Sequence, residues 1–176
     1  MLFTGDYTGQ LLADEEADVV KLEAPGRGDY LRDFLGQVKP HKNGHSPMHI
    51  TVNRNKRSLA LDLRQDLGRE AFQRLVLRAD VLVENFRPGV MDRLGLSYTA
   101  LAELRPSLVY CSISGFGATG PYRDRGGFDL IAQGMSGLMS ITGPPDGAPA
   151  KVGVPITDIS AGLFAANGIL CAYIHA

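Results

Sequence analysis

A single acidic residue, Asp158, lies in an otherwise apolar region near the end of the sequence. The run 152–156 before it is small and apolar and contains a proline, which predicts the end of a buried extended segment. The uncharged stretch 159–174 after it predicts a helix, with Thr157 or Asp158 as its N-cap. A carboxylate among small residues can instead act as the nucleophile of an acyl transfer. The local pattern leaves a structural cap and a catalytic nucleophile open.

Basic residues form a second group with chemical potential, because the predicted elements place them around one sheet. They are Lys56, Arg57, Arg64, Arg87 and Arg93. Ammonium and guanidinium groups bind phosphates, so this set would suit a phosphorylated adenosine carrier. A solvated basic surface has the same composition, and the pattern alone does not decide between the two.

Three histidines, His41, His45 and His49, are spaced by four and would share one face of a helix, as metal ligands can. Gly44 and Pro47 interrupt such a helix, and no carboxylate or cysteine completes a ligand set. The sequence therefore predicts a solvated loop here and no metal site.

The turn Gly26-Arg27-Gly28 follows a predicted strand, as a dinucleotide-binding loop does. Leu31 stands where a third glycine is needed, and no acidic residue lies about twenty positions further on to hold a ribose. Cys111 and Cys171 are too far apart for a redox or zinc motif and are predicted to be buried thiols in a reducing compartment. These patterns predict neither a dinucleotide cofactor nor a zinc centre.

The composition is typical of one folded domain. The 176 residues are 44% hydrophobic and 21% charged, with a formal net charge of −1. No basic field favours nucleic acid as a partner, and no secretory signal is visible, so a cytoplasmic location is predicted. The tract 159–176 is nearly long enough to span a bilayer, but its glycines and asparagine favour a buried core helix and no membrane contact.

Alternating strands and helices indicate the fold that would position these groups. The predicted strands are 18–23, 50–52, 59–63, 80–85 and 108–113. The predicted helices are 7–16, 66–79, 88–94 and 99–104, with one helical turn at 30–35. This order is typical of βαβ units, so the predicted class is α/β, a Rossmann-like, mostly parallel sheet flanked by helices. Ligands of such sheets gather at the carboxyl ends of the strands, here at Glu23, 85–87 and 114–117.

Several motifs occur in one order along nearly the whole chain. They are 11–14 (LLAD), 17–23 (ADVVKLE), 53–58 (NRNKRS), 83–89 (VENFRPG), 112–117 (SISGFG) and Thr157-Asp158. Together they closely resemble the N-terminal part of the family III CoA-transferases, the CaiB/BaiF type that includes formyl-CoA transferase. The resemblance implies that residues 1–176 form an incomplete large domain of such an enzyme.

The resemblance also implies a reaction, which moves CoA from an acyl-CoA thioester to a free carboxylic acid without a metal. Asp158 corresponds to the family's nucleophile, which forms a mixed anhydride and then an aspartyl-CoA thioester. The positions that correspond to CoA contacts are Leu61, Arg64, Asn85, Phe86, Arg93 and Phe128. Family members are homodimers whose two chains interlock as rings, so a homodimer is expected.

Two alternative functions stay open. The run Gly127-Phe128-Asp129 stands where the α-methylacyl-CoA racemases of the same fold have Gly-His-Asp. Phe128 cannot act as an acid or base, so the transferase is favoured over the racemase. The other alternative is a catalytically silent CoA-binding fragment. The run 138–143 looks closest to transferases that act on small dicarboxylic acids.

The chain also departs from the family pattern. Asp6 stands where proline is usual, and Glu15-Glu16 replaces Leu-Gly. Family members continue through a small domain and a returning C-terminal segment, which do not follow Ala176. We therefore expect weak or no turnover by this chain alone, and an apolar surface on its last helix that the absent part would cover.

Overall fold

The computed structural model describes residues 3–34 and 46–175 and confirms an α/β fold. Its strands are β1 (Val19–Glu23), β2 (Lys56–Ala60), β3 (Val81–Glu84) and β4 (Val109–Ser112). Its helices are α1 (Phe3–Asp14), α2 (Pro47–Asn53), α3 (Asp66–Val76), α4 (Val90–Arg93), α5 (Tyr98–Leu104), α6 (Asp129–Met135) and α7 (Ile156–His175). Short 3₁₀ turns lie at Tyr30–Arg32 and Leu138–Ile141.

The strands pair in parallel, as the alternation of strands and helices predicts. β1 lies beside β2 with Lys21 opposite Ser58, and β3 lies beside β4 with Leu82 opposite Tyr110. Parallel neighbours need a crossover connection, which α2 supplies between β1 and β2, and α4 with α5 between β3 and β4. The carboxyl ends of β3 and β4 therefore lie side by side.

One hydrophobic cluster holds the centre of the fold together. Phe72 and Val76 are spaced by one helical turn and form the buried face of α3. They pack with the rest of the cluster, which comprises Met91, Leu96, Leu101 and Leu108. Side chains from the strands and from the loop after β2 pack against this cluster, so it fixes α3, α4 and α5 to the strand ends.

The predicted strand at 50–52 is wrong, because these residues belong to α2. Ser46 caps this helix by accepting a hydrogen bond from Met48 N (3.2 Å), and Pro47 stands at its first turn. This start signal outweighs the β-branched residues, since a proline with fixed φ is already set for a helix. The second predicted strand exists as β2, but it begins at Lys56 rather than at residue 59.

The extended segment predicted before Asp158 is also wrong. Residues 152–155 form an irregular loop, and α7 begins at Ile156, so Thr157 and Asp158 lie inside its first turn rather than at its cap. The early start fits Pro155, whose carbonyl accepts from Ile159 N (3.0 Å), because proline favours the start of a helix. Helix α6 was not predicted at all.

Helix α7 is only partly a core helix. Gly162, Ala166 and Ile169 are buried, whereas Phe164 is 78% exposed and Ile174 is 84% exposed. The prediction of a buried core helix is thus wrong for its outer face, and the expectation of an exposed apolar surface is confirmed. By length and composition alone, α7 also meets the criteria for a membrane-spanning helix, which many core helices of globular proteins meet too.

Candidate active site

Asp158 lies half-buried in the first turn of α7. Burial raises the pKa of its carboxyl group, because a charge is less stable away from water. The neighbouring Thr4 side chain of α1 opposes this rise, and the nearby negative charge of Asp129 adds to it. Asp158 is therefore a partly desolvated carboxylate whose pKa is raised.

Asp129, the first residue of α6, is a second carboxylate beside it. It accepts hydrogen bonds from Thr157 N (2.9 Å), Thr157 Oγ1 (2.7 Å) and Gln133 Nε2 (2.6 Å). Burial works against its charged form, but these bonds and one from the backbone of Asp158 outweigh burial and lower the pKa of Asp129. Asp129 thus stays charged and ties α6 to the first turn of α7.

Gln133 completes this junction from the next turn of α6. Its side chain is fully buried, and its Oε1 accepts from Val152 N (2.8 Å). The loop that leads into α7 is therefore fixed by α6 on both sides of Pro155. Sequence reasoning missed Asp129 and Gln133 as site residues; their spacing of four was the available signal.

Phe128 precedes Asp129 and is 53% exposed, with extended backbone at the start of α6. The glycine before it, Gly127, lies directly against Gly115 after β4. A Cβ on Gly115 would fall 2.3 Å from the Cα of Gly127, so neither position has room for a side chain. This backbone contact fixes the segment carrying Phe128 and Asp129 to the carboxyl end of β4.

Asn85 and Phe86 leave the neighbouring strand β3 at the same edge. Asn85 Nδ2 donates to Ile113 O (2.7 Å), while Asn85 Oδ1 is buried and has no donor among the described residues. Glu84 holds the turn, accepting from Phe86 N (2.8 Å) and from Ser112 Oγ. Phe86 is 38% exposed, so an aromatic face and a free amide oxygen lie together at this edge.

The other predicted CoA contacts are Leu61, Arg64 and Arg93, and the structure holds each of them through neighbours other than Asp158. Leu61 is half-buried against the central cluster, and the exposed Arg64 side chain pairs with Asp62 (2.8 Å). Arg93 ends α4, and its guanidinium approaches Gly89, where a Cβ would lie 3.2 Å away. The shared cluster brings Leu61 and α4 to one side of the fold.

The predicted site residues thus fall into two groups. Asn85, Phe86, Phe128 and Asp158 are linked by contacts through Ile113, the two glycines and Asp129. Leu61 packs against the hydrophobic cluster, Arg64 pairs with Asp62, and no described contact joins Leu61, Arg64 or Arg93 to Asp158.

Lys56 and Arg57 were predicted to lie in a basic loop that binds phosphate, but both lie in β2. Lys56 Nζ is enclosed, donating to Asp6 O (2.6 Å), Val52 O (2.7 Å) and Asn53 Oδ1 (3.0 Å). Burial lowers the pKa of Lys56 to about 8. Arg57 pairs with Asp18 on the surface (2.6 Å). Both side chains therefore have structural partners within the chain.

No group of three metal-ligating side chains occurs within residues 3–34 and 46–175. Of the three evenly spaced histidines, His41 and His45 lie outside the described residues. His49 is buried in α2, where burial lowers its pKa, and its Nδ1 lies 3.3 Å from Asn53 Nδ2.

Comparison with known proteins gives a consistent picture. The family model of CoA-transferase family III matches residues 1–176. A succinate–glutarate CoA-transferase of Agrobacterium fabrum is 46% identical over 99% of this chain and 44% of its own length. The human succinyl-CoA:glutarate CoA-transferase is 39% identical over 99% of this chain and 39% of its own.

A solved structure supports the same likeness. The crystal structure of a CaiB/BaiF family protein from Brucella suis superposes with a TM-score of 0.91 at 44% identity. The match covers 98% of this chain and 46% of that protein. The chain spans less than half the length of the relatives it matches.

Proposed function

The chain belongs to CoA-transferase family III, and from that premise we propose that it carries the nucleophile and CoA contacts of an acyl-CoA:carboxylate CoA-transferase. The observation that carries the proposal is Asp158, a half-buried carboxylate at the start of α7, held beside Asp129 and Thr4. Relatives named for transfers from succinyl-CoA support a small dicarboxylic acid as substrate.

In the proposed reaction, a carboxylate oxygen of Asp158 attacks the thioester carbonyl carbon, and the C–S bond breaks to release CoA thiolate and leave a mixed anhydride. The thiolate attacks the Asp158 carbonyl of that anhydride, which expels the donor acid and leaves an aspartyl-CoA thioester. The acceptor carboxylate attacks this thioester and expels the thiolate again. Attack of the thiolate on the new acyl group gives the product and restores Asp158.

The remaining predicted residues have roles that fit the two ends of CoA. Asn85 Oδ1, which lacks a donor within the described part of the chain, can accept an N–H of the ligand. Phe86 and Phe128 offer exposed aromatic faces to the adenine or the pantetheine arm. Arg64 and Arg93 are the proposed phosphate contacts.

The direct test is to incubate the purified chain with succinyl-CoA and measure its intact mass. An acyl or CoA adduct on the wild-type chain, absent from Asp158→Asn and retained in Asp124→Asn, would support the proposal. Asp124 is a matched control because its carboxylate lies in the loop between β4 and α6 and is 86% exposed. An adduct that survives Asp158→Asn would refute the assigned nucleophile.

The same test separates the silent CoA-binding alternative. Binding of CoA without any adduct would support a chain that holds the ligand but lacks the chemistry. Assembly as a homodimer, a cytoplasmic location and the absence of nucleic-acid or membrane partners stay predictions. Sedimentation of the purified chain would test the first of these.

A further inference from the structure

Helices α1 and α7 approach each other closely at Gly162. A Cβ there would lie 2.8 Å from Tyr7 Cδ1 and 3.4 Å from the carbonyl oxygen of Thr4. Thr8 Oγ1 donates to Thr4 O (2.9 Å) and lies 3.4 Å from Gly162 O, so its hydroxyl bridges the two helices. The first turn of α1 is therefore held against α7 at a fixed position.

Asp158 lies one helical turn before Gly162, so both residues face α1. Thr4 is 6% exposed, and its carbonyl oxygen lies 3.4 Å from where a Gly162 Cβ would be, which places Thr4 beside the turn of α7 that carries Asp158. We propose that Thr4 is a positioning residue, whose hydroxyl donates to one oxygen of Asp158, stabilises its charged form and leaves the other oxygen free to attack. The inference rests on the proposed role of Asp158 as nucleophile.

The charged groups around Asp158 show why such a donor matters. Asp129 on α6 repels a charge on Asp158. Asp6 on α1 is turned away, since its carboxylate pairs with Lys21 of β1 (2.5 Å). The Thr4 side chain opposes both effects, because it favours the charged form of Asp158.

The test is the pKa of the Asp158 carboxyl, measured by NMR on a chain labelled with ¹³C-aspartate and assigned with Asp158→Asn. Thr4→Val removes the hydroxyl at constant shape and is expected to raise this pKa by about one unit, the size expected for a hydrogen bond to a charged group. Thr4→Ser keeps the hydroxyl and is expected to restore the wild-type value. Should Thr4→Val not fold, Thr4→Ala removes the same donor.

Thr8→Val is the matched control, because it perturbs the same α1–α7 contact without touching Asp158. Its Asp158 pKa is expected to equal that of the wild type. An unchanged pKa in Thr4→Val, or an equal rise in Thr8→Val, would overturn the assignment.

The rate of adduct formation from succinyl-CoA, measured across acidic pH, gives a second readout. The pH at which this rate falls should be higher in Thr4→Val than in the wild type and should return to the wild-type value in Thr4→Ser. A wild-type chain that shows the Thr4-dependent pKa but forms no adduct would refute the nucleophile while supporting the hydrogen bond. An adduct whose pH dependence is the same in the wild type and in Thr4→Val would support the nucleophile and refute the hydrogen bond.

Discussion

Two carboxylates at the junction of α6 and α7 have pKa values displaced in opposite directions. Burial raises that of Asp158, whereas hydrogen bonds from Thr157, Gln133 and the Asp158 backbone lower that of Asp129 despite burial. Neighbouring groups with divergent pKa values can take different roles at one pH. Here the charge of Asp129 adds to the rise that burial causes in the pKa of Asp158, the proposed nucleophile.

Replacing Asp129 by Asn tests this electrostatic coupling. The amide oxygen can still accept from Thr157, but the negative charge that raises the pKa of Asp158 is gone. The pKa of Asp158 should fall, and the acid limb of adduct formation should move to lower pH. A profile measured with succinyl-CoA across acidic pH checks this direction; an acid limb that stays in place or moves upward would contradict it.

Glu23 provides a prediction about stability. It accepts from Arg32 Nε and Nη2 (both 2.7 Å) and from Asp29 N (2.9 Å), and the hydrogen bond with Arg32, against burial, lowers its pKa to about 2. The charged form is thus favoured in the folded state. The charged Glu23 carboxylate therefore contributes about 3 kcal/mol to the free energy of unfolding. This contribution is fully present above the unfolded pKa of 4.5 and is lost as the pH falls toward 2.

Urea unfolding of Glu23→Gln against the wild type measures this contribution. The difference in the free energy of unfolding should be constant above about pH 5 and shrink at lower pH. Arg57→Gln, which breaks a fully exposed pair with Asp18, should change stability little at any of these pH values. A difference for Glu23→Gln that does not vary with pH would argue against the lowered pKa.

The buried charges show where residue-level sequence reasoning stops. Lys21 is paired with Asp6 (2.5 Å) and Asp29 (2.7 Å), so these three residues come together from three different segments of the chain. A charged residue in a short strand gives no local signal of such a partner, because burial depends on contacts distant in sequence. Asp158 stands out because it is alone in an apolar region, and its role was assigned from the family resemblance. Asp129 was missed because it follows a glycine-rich loop and its hydrogen-bond partner Thr157 lies 28 positions away.

At the scale of elements, strong periodicity and turn chemistry made β3, β4, α3 and α5 predictable to within a few residues. Helix α2 was mistaken for a strand because its β-branched residues were weighed above the Ser46-Pro47 start signal. Helix α6 has fewer than two turns, and its apolar residues Leu130, Ile131 and Met135 are exposed while Gln133 is buried, so it shows no apolar core face. Its position depends on the Gly115–Gly127 contact, which joins segments that sequence alone does not pair.

The contact between Gly115 and Gly127 predicts that a single added methyl group disturbs the site. Gly115→Ala would place a Cβ 2.3 Å from Gly127 Cα, so the backbone before Phe128 must move. We expect weaker CoA binding and slower adduct formation, by roughly tenfold or more, since small displacements of reacting groups are costly. Gly126→Ala is the matched control, because its Cβ would meet only Arg87 Nη2 at 3.8 Å. Equal CoA affinities for both variants, by calorimetry, would argue against this role.

At the scale of the whole molecule, the outer face of α7 is an apolar surface without cover in the described structure. Its exposed side chains are Leu163, Phe164, Leu170, Tyr173 and Ile174. Burial of apolar surface contributes about 25 cal/mol per Å², so an uncovered face of this kind favours association with itself or with other polypeptide. The chain covers 44% of the Agrobacterium fabrum relative and 46% of the Brucella suis protein, so these matched relatives are more than twice as long.

Charged substitutions on this face test whether it controls the behaviour of the isolated chain. Phe164→Lys with Ile174→Lys should lower the fluorescence of a bound hydrophobic dye and shift sedimentation toward the monomer, because two ammonium groups oppose desolvation of the surface. Leu67→Lys on α3 is the control, since Leu67 is 80% exposed but lies outside the α7 face. It should leave both readouts near those of the wild type. If the α7 variant binds dye and associates as the wild type does, this face does not drive association, and the apolar surface responsible must lie elsewhere on the chain.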